Sequence, residues 1–230
     1  MRYKHLFFDL DDTLWDSKRN STEALCELFG KYRLDSTFGF TEENFVAHFH
    51  QVNYALWDRY SAGEIDQLQL RQIRFPLVFQ ALGVTDVPAT EPMQDDYLTI
   101  CPRKPHLMPH TFEVLDYLKD KYHLHIITNG FDDVQFIKMN SSGITGYFME
   151  VVTALRAGCQ KPNRQIFDFA RQRAQADCSD CLMIGDNLLA DIAGARNAEM
   201  DHVFYNHGHV AHQYTPTYEV HSLRELINFL

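Results

Sequence analysis

Asp9, Asp11 and Asp12 fall within four positions of one another, and Thr13 follows them directly. An apolar run, 5–8, leads straight into this cluster. Burying one carboxylate is costly, and burying several side by side costs more. Either the cluster is a solvated turn or something positive offsets it. Three further polar groups belong with it: Thr128-Asn129-Gly130, Lys161-Pro162, and Gly185-Asp186-Asn187 followed by Asp191. Together they offer carboxylates, a hydroxyl, amides and one lysine. Hard oxygen donors suit Mg²⁺, and amides with a lysine suit a phosphate. Singly each has a plainer reading: Thr-Asn-Gly is a common turn, Lys-Pro a surface dipeptide, Gly-Asp-Asn a helix cap. A calcium-binding EF-hand loop fits the aspartates poorly, because Leu14 stands where a glycine is required and Asn20 where a glutamate is.

The elements that must position these groups can be read from periodicity. Short apolar strands are expected at 4–8, 125–128, 151–153, 181–184 and 202–205. Helical patterns separate them at 111–121, 132–142, 163–175 and 188–196, and another closes the chain at 222–230. This alternation implies right-handed βαβ units and a parallel sheet. Between 17 and 100 only helical patterns occur. Ala24, Leu25, Leu28, Phe29 and Tyr32 form one stripe, with Asn20 and Glu23 spaced like a capping pair. Phe45, Phe49, Val52, Leu56 and Tyr60 form a second, opened by Thr41-Glu42-Glu43. Helices over 68–82 and 95–100 complete the insert. The expected fold is α/β: a Rossmann-like parallel-sheet core, 1–16 and 101–230, holding an all-helical cap, 17–100. In open parallel sheets, sites form beyond the carboxyl ends of the strands. Each polar group above follows a strand, so parallel order would gather all of them on one edge.

Four motifs in this order resemble those of the haloacid dehalogenase superfamily of aspartate-nucleophile phosphohydrolases. They are D-L-D-D-T at 9–13, I-I-T-N-G at 126–130, K-P at 161–162 and G-D-N-L-L-A-D at 185–191. The resemblance covers nearly the whole chain, and the insert resembles the family's helical cap. T-N-G-F at 128–131 with K-P-N at 161–163 is similar to a branch of pyrimidine and other nucleoside-monophosphate 5'-nucleotidases.

The resemblance implies that Asp9 is the nucleophile, forming an aspartyl-phosphate, and that Asp11 protonates the leaving oxygen and then activates water. It implies a Mg²⁺ held by the Asp9 side chain, the Asp11 carbonyl and Asp186, with Asp191 outside these or acting through water. Thr128 and the Asn129 amide would bind the transferring phosphoryl oxygens, and Lys161 would neutralise charge. Crowding by Asp9 would favour a proton on Asp11. Dehalogenases lack this second aspartate, so Asp11 favours phosphoester chemistry. The expected activity is hydrolysis of a small phosphate monoester, with a nucleoside monophosphate ahead of a sugar phosphate. A phosphomutase shares the first step. A phosphoaspartate signalling receiver uses similar groups but is about half as long, with its aspartate after the third strand.

Bulk properties narrow the classes further. The chain has 230 residues and a formal charge of −10, without a Lys/Arg run. This argues against a nucleic-acid polymer as partner. No apolar stretch reaches the roughly 20 residues of a membrane span, and Asp9 interrupts the N-terminal apolar run, unlike a signal peptide. Five scattered cysteines suggest reduced thiols and a cytoplasmic setting. Cys178 and Cys181 have metal-site spacing but no second pair, and His207, His209 and His212 are read as a solvated loop. Tyr54 and Trp57 are candidates to stack on a base, whereas Arg59, Arg71 and Arg74 read as a solvated helix face.

Overall fold

The computed structural model describes residues 2–230, which form two compact units. The first contains the segment ending at Asp16 together with Pro105–Leu230, and the second is Ser17–Lys104.

The first unit is built on six strands: β1 (His5–Phe8), β2 (His123–Thr128), β3 (Glu150–Thr153), β4 (Cys181–Gly185), β5 (Asp201–Tyr205) and β6 (Tyr218–Val220). All neighbours pair in parallel, in the order β3-β2-β1-β4-β5-β6. Winding reverses between β1 and β4, which is where an open parallel sheet leaves a crevice at its carboxyl edge. β1 lies at the centre, and Leu6, Phe7 and Phe8 are fully buried. A strand covered on both faces needs such a continuous apolar run rather than alternation. On one face Phe7, Ile127 and Met183 share a core with Ile166, Phe167 and Ala170 of α9 (Arg164–Ala174).

Four more helices complete this unit. They are α6 (Thr111–Leu118), α7 (Asp132–Ser141), α8 (Ala154–Ala157) and α10 (Gly194–Asn197). Where the pattern predicts one helix over 188–196, the chain makes a π-helical turn, Leu188–Ala193, before α10. Asn187 Oδ1 accepts from the N–H groups of Leu189 and Ala190, and its carbonyl accepts from both Asp191 and Ile192. This wider turn accompanies the inward placement of the fully buried Asp191. The last segment is a run of 3₁₀ turns, Leu223–Asn228, opened by a Ser222/Glu225 capping box, rather than an α-helix. Strand β6 was not visible in the pattern, since it has three residues and carries Glu219 at its centre.

The chain leaves the first unit at Asp16 and re-enters it at Pro105. The two ends are stitched together inside that unit: Asp16 N–H donates to the His106 carbonyl at 3.1 Å, and Met108 N–H to that of Leu14 at 2.8 Å.

The second unit is all helical, with α1 (Ser17–Lys31), α2 (Leu34–Phe38), α3 (Glu42–Ser61), α4 (Gln67–Ala81) and α5 (Glu91–Ile100). Thr41 caps α3 by accepting from Asn44 N–H, and Asp66 with Gln69 forms a capping box on α4. The expected cap at Asn20 is not one. Helix α1 begins at Ser17, and Asn20 lies buried within it, since the same residue spacing also recurs in helix interiors. Phe45, Phe49, Phe75 and Tyr97 pack at the centre of this unit. Arg74, expected on a solvated face, is buried among them. It lies over the Tyr97 ring at 4.8 Å and donates to Gln94 Oε1 and Asn53 Oδ1.

Candidate active site

Asp9 is the first residue past β1, and its N–H donates to the Ile184 carbonyl, extending the β1–β4 pairing by one step. The chain then folds back tightly. The N–H groups of Leu14 and Trp15 both donate to the Leu10 carbonyl, and Asp12 takes a left-handed conformation with φ of 59°. Leu10 and Leu14 are fully buried, so the aspartate loop is pinned to the core at both ends.

Lys161 comes to the same place from the segment after β3. Its Nζ donates to Asp9 Oδ1 at 2.5 Å, to Asp191 Oδ1 at 2.6 Å and to the Ile127 carbonyl at 2.8 Å. Asn129 seats this lysine by a two-way bracket. Its Nδ2 donates to the Lys161 carbonyl at 3.0 Å, and its Oδ1 accepts from Lys161 N–H at 2.7 Å. The Asn129 side chain is therefore engaged with the lysine backbone. Thr128 ends β2, buried beside these groups, and its Oγ1 accepts from Gly130 N–H at 3.0 Å.

Asp186 follows β4, and its Oδ1 accepts from the Thr13 hydroxyl at 3.0 Å. Asp191 Oδ2 accepts from Asn187 N–H at 3.0 Å. Gly185 allows this close approach, for a Cβ there would lie 2.3 Å from Asp191 Oδ2. The structure therefore gathers Asp9, Thr128, Lys161, Asp186 and Asp191 at one edge of the sheet. Asp11 stands beside them but turns to α7, accepting from Gln135 Nε2 at 2.8 Å and Lys138 Nζ at 2.6 Å. These two contacts from α7 join the crowding by Asp9 that the sequence predicts around Asp11. Gln135 and Lys138 carried no motif signal. On sequence they are ordinary polar positions of a helix.

The electrostatics explain what this edge requires. Burial pushes Asp9 up to about 7 although Lys161 pulls it down, and the charges of Asp191 and Asp11 add to the rise. Asp186 is raised well above the usual carboxylate range by burial and then by the charges of Asp9, Asp191 and Asp12. Burial opposes the charge on Lys161, but Asp191 and Asp9 outweigh it and raise this ammonium. Lys161 thus pairs with Asp9 and Asp191, while Asp186 has the Thr13 hydroxyl. Asp9, Asp186 and Asp191 each bring an oxygen within 4.8 Å of the others. Three hard donors with uncompensated negative charge fit a divalent cation such as Mg²⁺.

The other sequence candidates lie elsewhere. His212 Nε2 is 3.3 Å from a Glu219 carboxylate oxygen, His209 stacks on His221, and His207 packs on Tyr205. The three rings thus have separate partners. Cys178 and Cys181 are free thiols, with Cys181 buried at the start of β4. Tyr54 is half exposed, while Trp57 packs edge-on against Tyr60. Among the described residues no helix is long and apolar enough to cross a membrane.

A parallel sheet of this order, with an aspartate at its reversal point and a buried lysine joining two carboxylates, is a Rossmann-like hydrolase core with an inserted helical unit. The chain belongs to the haloacid dehalogenase-like hydrolases, whose family description matches residues 3–199. It is 33% identical over 233 residues to the pyrimidine 5'-nucleotidase YjjG of Escherichia coli (strain K12), covering 100% of this chain and 99% of that one. It is 30% identical over 234 residues to the pyrimidine 5'-nucleotidase PynA of Streptococcus pneumoniae, covering 100% and 96%. The putative HAD-hydrolase YfnB of Bacillus subtilis, solved bound to magnesium, superposes with a TM-score of 0.87 at 27% identity, covering 99% of this chain and 98% of that one.

Proposed function

We propose that this phosphatase hydrolyses nucleoside 5'-monophosphates, those with pyrimidine bases foremost, through an aspartyl-phosphate on Asp9. The observation that carries the chemistry is the buried Asp9 carboxylate, aimed by β1 and held at 2.5 Å by Lys161. Full-length likeness to the two pyrimidine nucleotidases supports the substrate class.

Asp9, Asp186 and Asp191 would hold Mg²⁺, which when bound supplies positive charge for the phosphoryl oxygens. A carboxylate oxygen of Asp9 attacks phosphorus as the ester P–O bond breaks, and the leaving oxygen takes a proton from Asp11. Water then attacks the phosphoryl group and gives its proton to Asp11, which frees phosphate and Asp9. Lys161 restrains Asp9 and balances the charge of the three-carboxylate edge. The Thr128 hydroxyl donates to a phosphoryl oxygen, while Asn129 keeps Lys161 seated through its backbone. Catalysis of this kind is chiefly placement and electrostatics.

The test is phosphate release with Mg²⁺ across pyrimidine and purine nucleoside monophosphates and a set of sugar phosphates. Pyrimidine nucleotides are expected to give the highest kcat/KM. Turnover of sugar phosphates with nucleotides inert would overturn the substrate assignment.

A further inference from the structure

Helix α7 carries two polar side chains, one turn apart, that belong to none of the four motifs. Gln135 is fully buried, and its Nε2 donates both to Thr128 Oγ1 at 2.7 Å and to Asp11 Oδ2 at 2.8 Å. Lys138 Nζ donates to Asp11 Oδ1 at 2.6 Å and lies 4.4 Å from the centre of the Trp15 ring, with its side chain 12% exposed. Both oxygens of Asp11 are therefore gripped from the same helix.

The grip also determines a proton position. A threonine hydroxyl has one proton and two acceptor lone pairs. On Thr128 both lone pairs are taken, one by Gly130 N–H and one by Gln135 Nε2. The hydroxyl proton is left for a third partner. The amide orientation is equally constrained: turning Gln135 over would set its Oε1 against the Asp11 carboxylate, acceptor against acceptor. In the orientation present, Oε1 is buried and has no partner. An orphaned buried carbonyl oxygen is unfavourable, and packing alone would be served better by an apolar side chain of similar size. Room for the amide comes from Gly130, where a Cβ would fall 1.9 Å from Gln135 Nε2.

We propose that Gln135 and Lys138 are positioning residues that align two reacting groups at once. Gln135 directs the Thr128 hydroxyl proton at the phosphoryl group, and the pair together fixes the Asp11 carboxyl group beside the leaving oxygen. This rests on reading Asp11 as the group that protonates that oxygen.

The test compares two esters by kcat/KM, which reports the steps up to release of the leaving group and is blind to later hydrolysis of the aspartyl-phosphate. A nucleoside monophosphate needs its leaving alkoxide protonated, whereas p-nitrophenyl phosphate releases a stable phenolate. Lys138→Met keeps the apolar stem over Trp15 and removes the donor. It is expected to lower kcat/KM on the nucleotide about tenfold or more, with a change of less than about threefold on the aryl ester. Lys138→Arg, which can still donate to Asp11, should recover most of the loss. Gln135→Met should lower kcat/KM on the aryl ester by about tenfold, since the Thr128 donor serves both esters, and by more on the nucleotide, since Asp11 also loses a donor. Lys138→Gln is measured alongside, so that a methionine variant that does not fold leaves a second reading of the same position. Equal loss on both esters in the Lys138 variants, or no loss, overturns the inference. A wild-type enzyme inactive on both esters overturns the functional reading instead, so the two failures are distinct.

Discussion

Lys161 carries one positive charge into a space shared with Asp9, Asp186 and Asp191. That imbalance has a sign that can be followed in stability. In the metal-free protein the folded-state value of Asp9 is raised to about 7 from an ordinary value near 4. A carboxyl group raised on folding binds its proton more tightly in the native state. Its penalty is therefore absent below the unfolded value, grows as pH rises and is complete above the folded value. Asp9→Asn should abolish phosphate release while raising the metal-free melting temperature at pH 8, with the gain smaller at pH 5 and vanishing only below about pH 4. Turnover near the wild-type rate would remove Asp9 as nucleophile, and a lowered melting temperature at pH 8 would contradict a charge penalised first by burial and then by its acidic neighbours. Lys161→Met should do the opposite and destabilise by about 3 kcal/mol or more, because carboxylates remain buried without their partner. Thermal melts of the two variants side by side separate these signs. Asp9, Thr128, Lys161 and Asp186 were legible in the sequence because each follows a recognisable strand or motif. Gln135 and Lys138 were not, because a buried amide and a paired lysine on a helix look the same on paper as a solvated face.

At the scale of elements, the parallel strands were the most legible features. All five expected strands agree with the structure to within two residues at either end, because buried central strands are continuous apolar runs. In the second unit α1, α3 and α4 follow their stripes, whereas α2 carries no expected stripe, α5 starts at Glu91 rather than 95, and Arg74 is not on the solvated face expected of it. Arg74 sits in the middle of α4, and its face is set by Leu70, Phe75, Val78 and Phe79, all buried. Its guanidinium has no carboxylate partner among the described residues, and neutral amide oxygens and the Tyr97 and Phe49 rings surround it. Burial accordingly lowers its pKa from the ordinary arginine value. The long stem fills the space between helices as much as the charge does. Arg74→Met should therefore cost little, within about 1 kcal/mol, whereas Arg74→Ala should cost about 3 kcal/mol or more through the cavity it opens. Urea titrations of the two variants would check this. A methionine variant as unstable as the alanine one would show that the buried hydrogen bonds, and not the packing, hold α3, α4 and α5 together.

For the molecule as a whole, net charge and site charge share a sign. The chain carries −10 overall, and its sheet edge concentrates three of its carboxylates around one lysine. Any divalent cation will stabilise so acidic a protein somewhat by general screening, and salt will imitate that part. A specific site adds a contribution with a different dependence on pH. Cation binding at Asp9 and Asp186 must displace the protons that their raised values retain, so affinity increases as those protons leave. The rise in melting temperature on adding Mg²⁺ should therefore be larger at pH 8 than at pH 5.5, at ionic strength matched with NaCl. Asp186→Asn removes one of the three donors and should remove most of the pH-dependent part, leaving the screening part in place. A Mg²⁺ shift of equal size at both pH values, or one unchanged in Asp186→Asn, would move the cation away from this edge. It would also leave the three carboxylates without the partner that their burial requires.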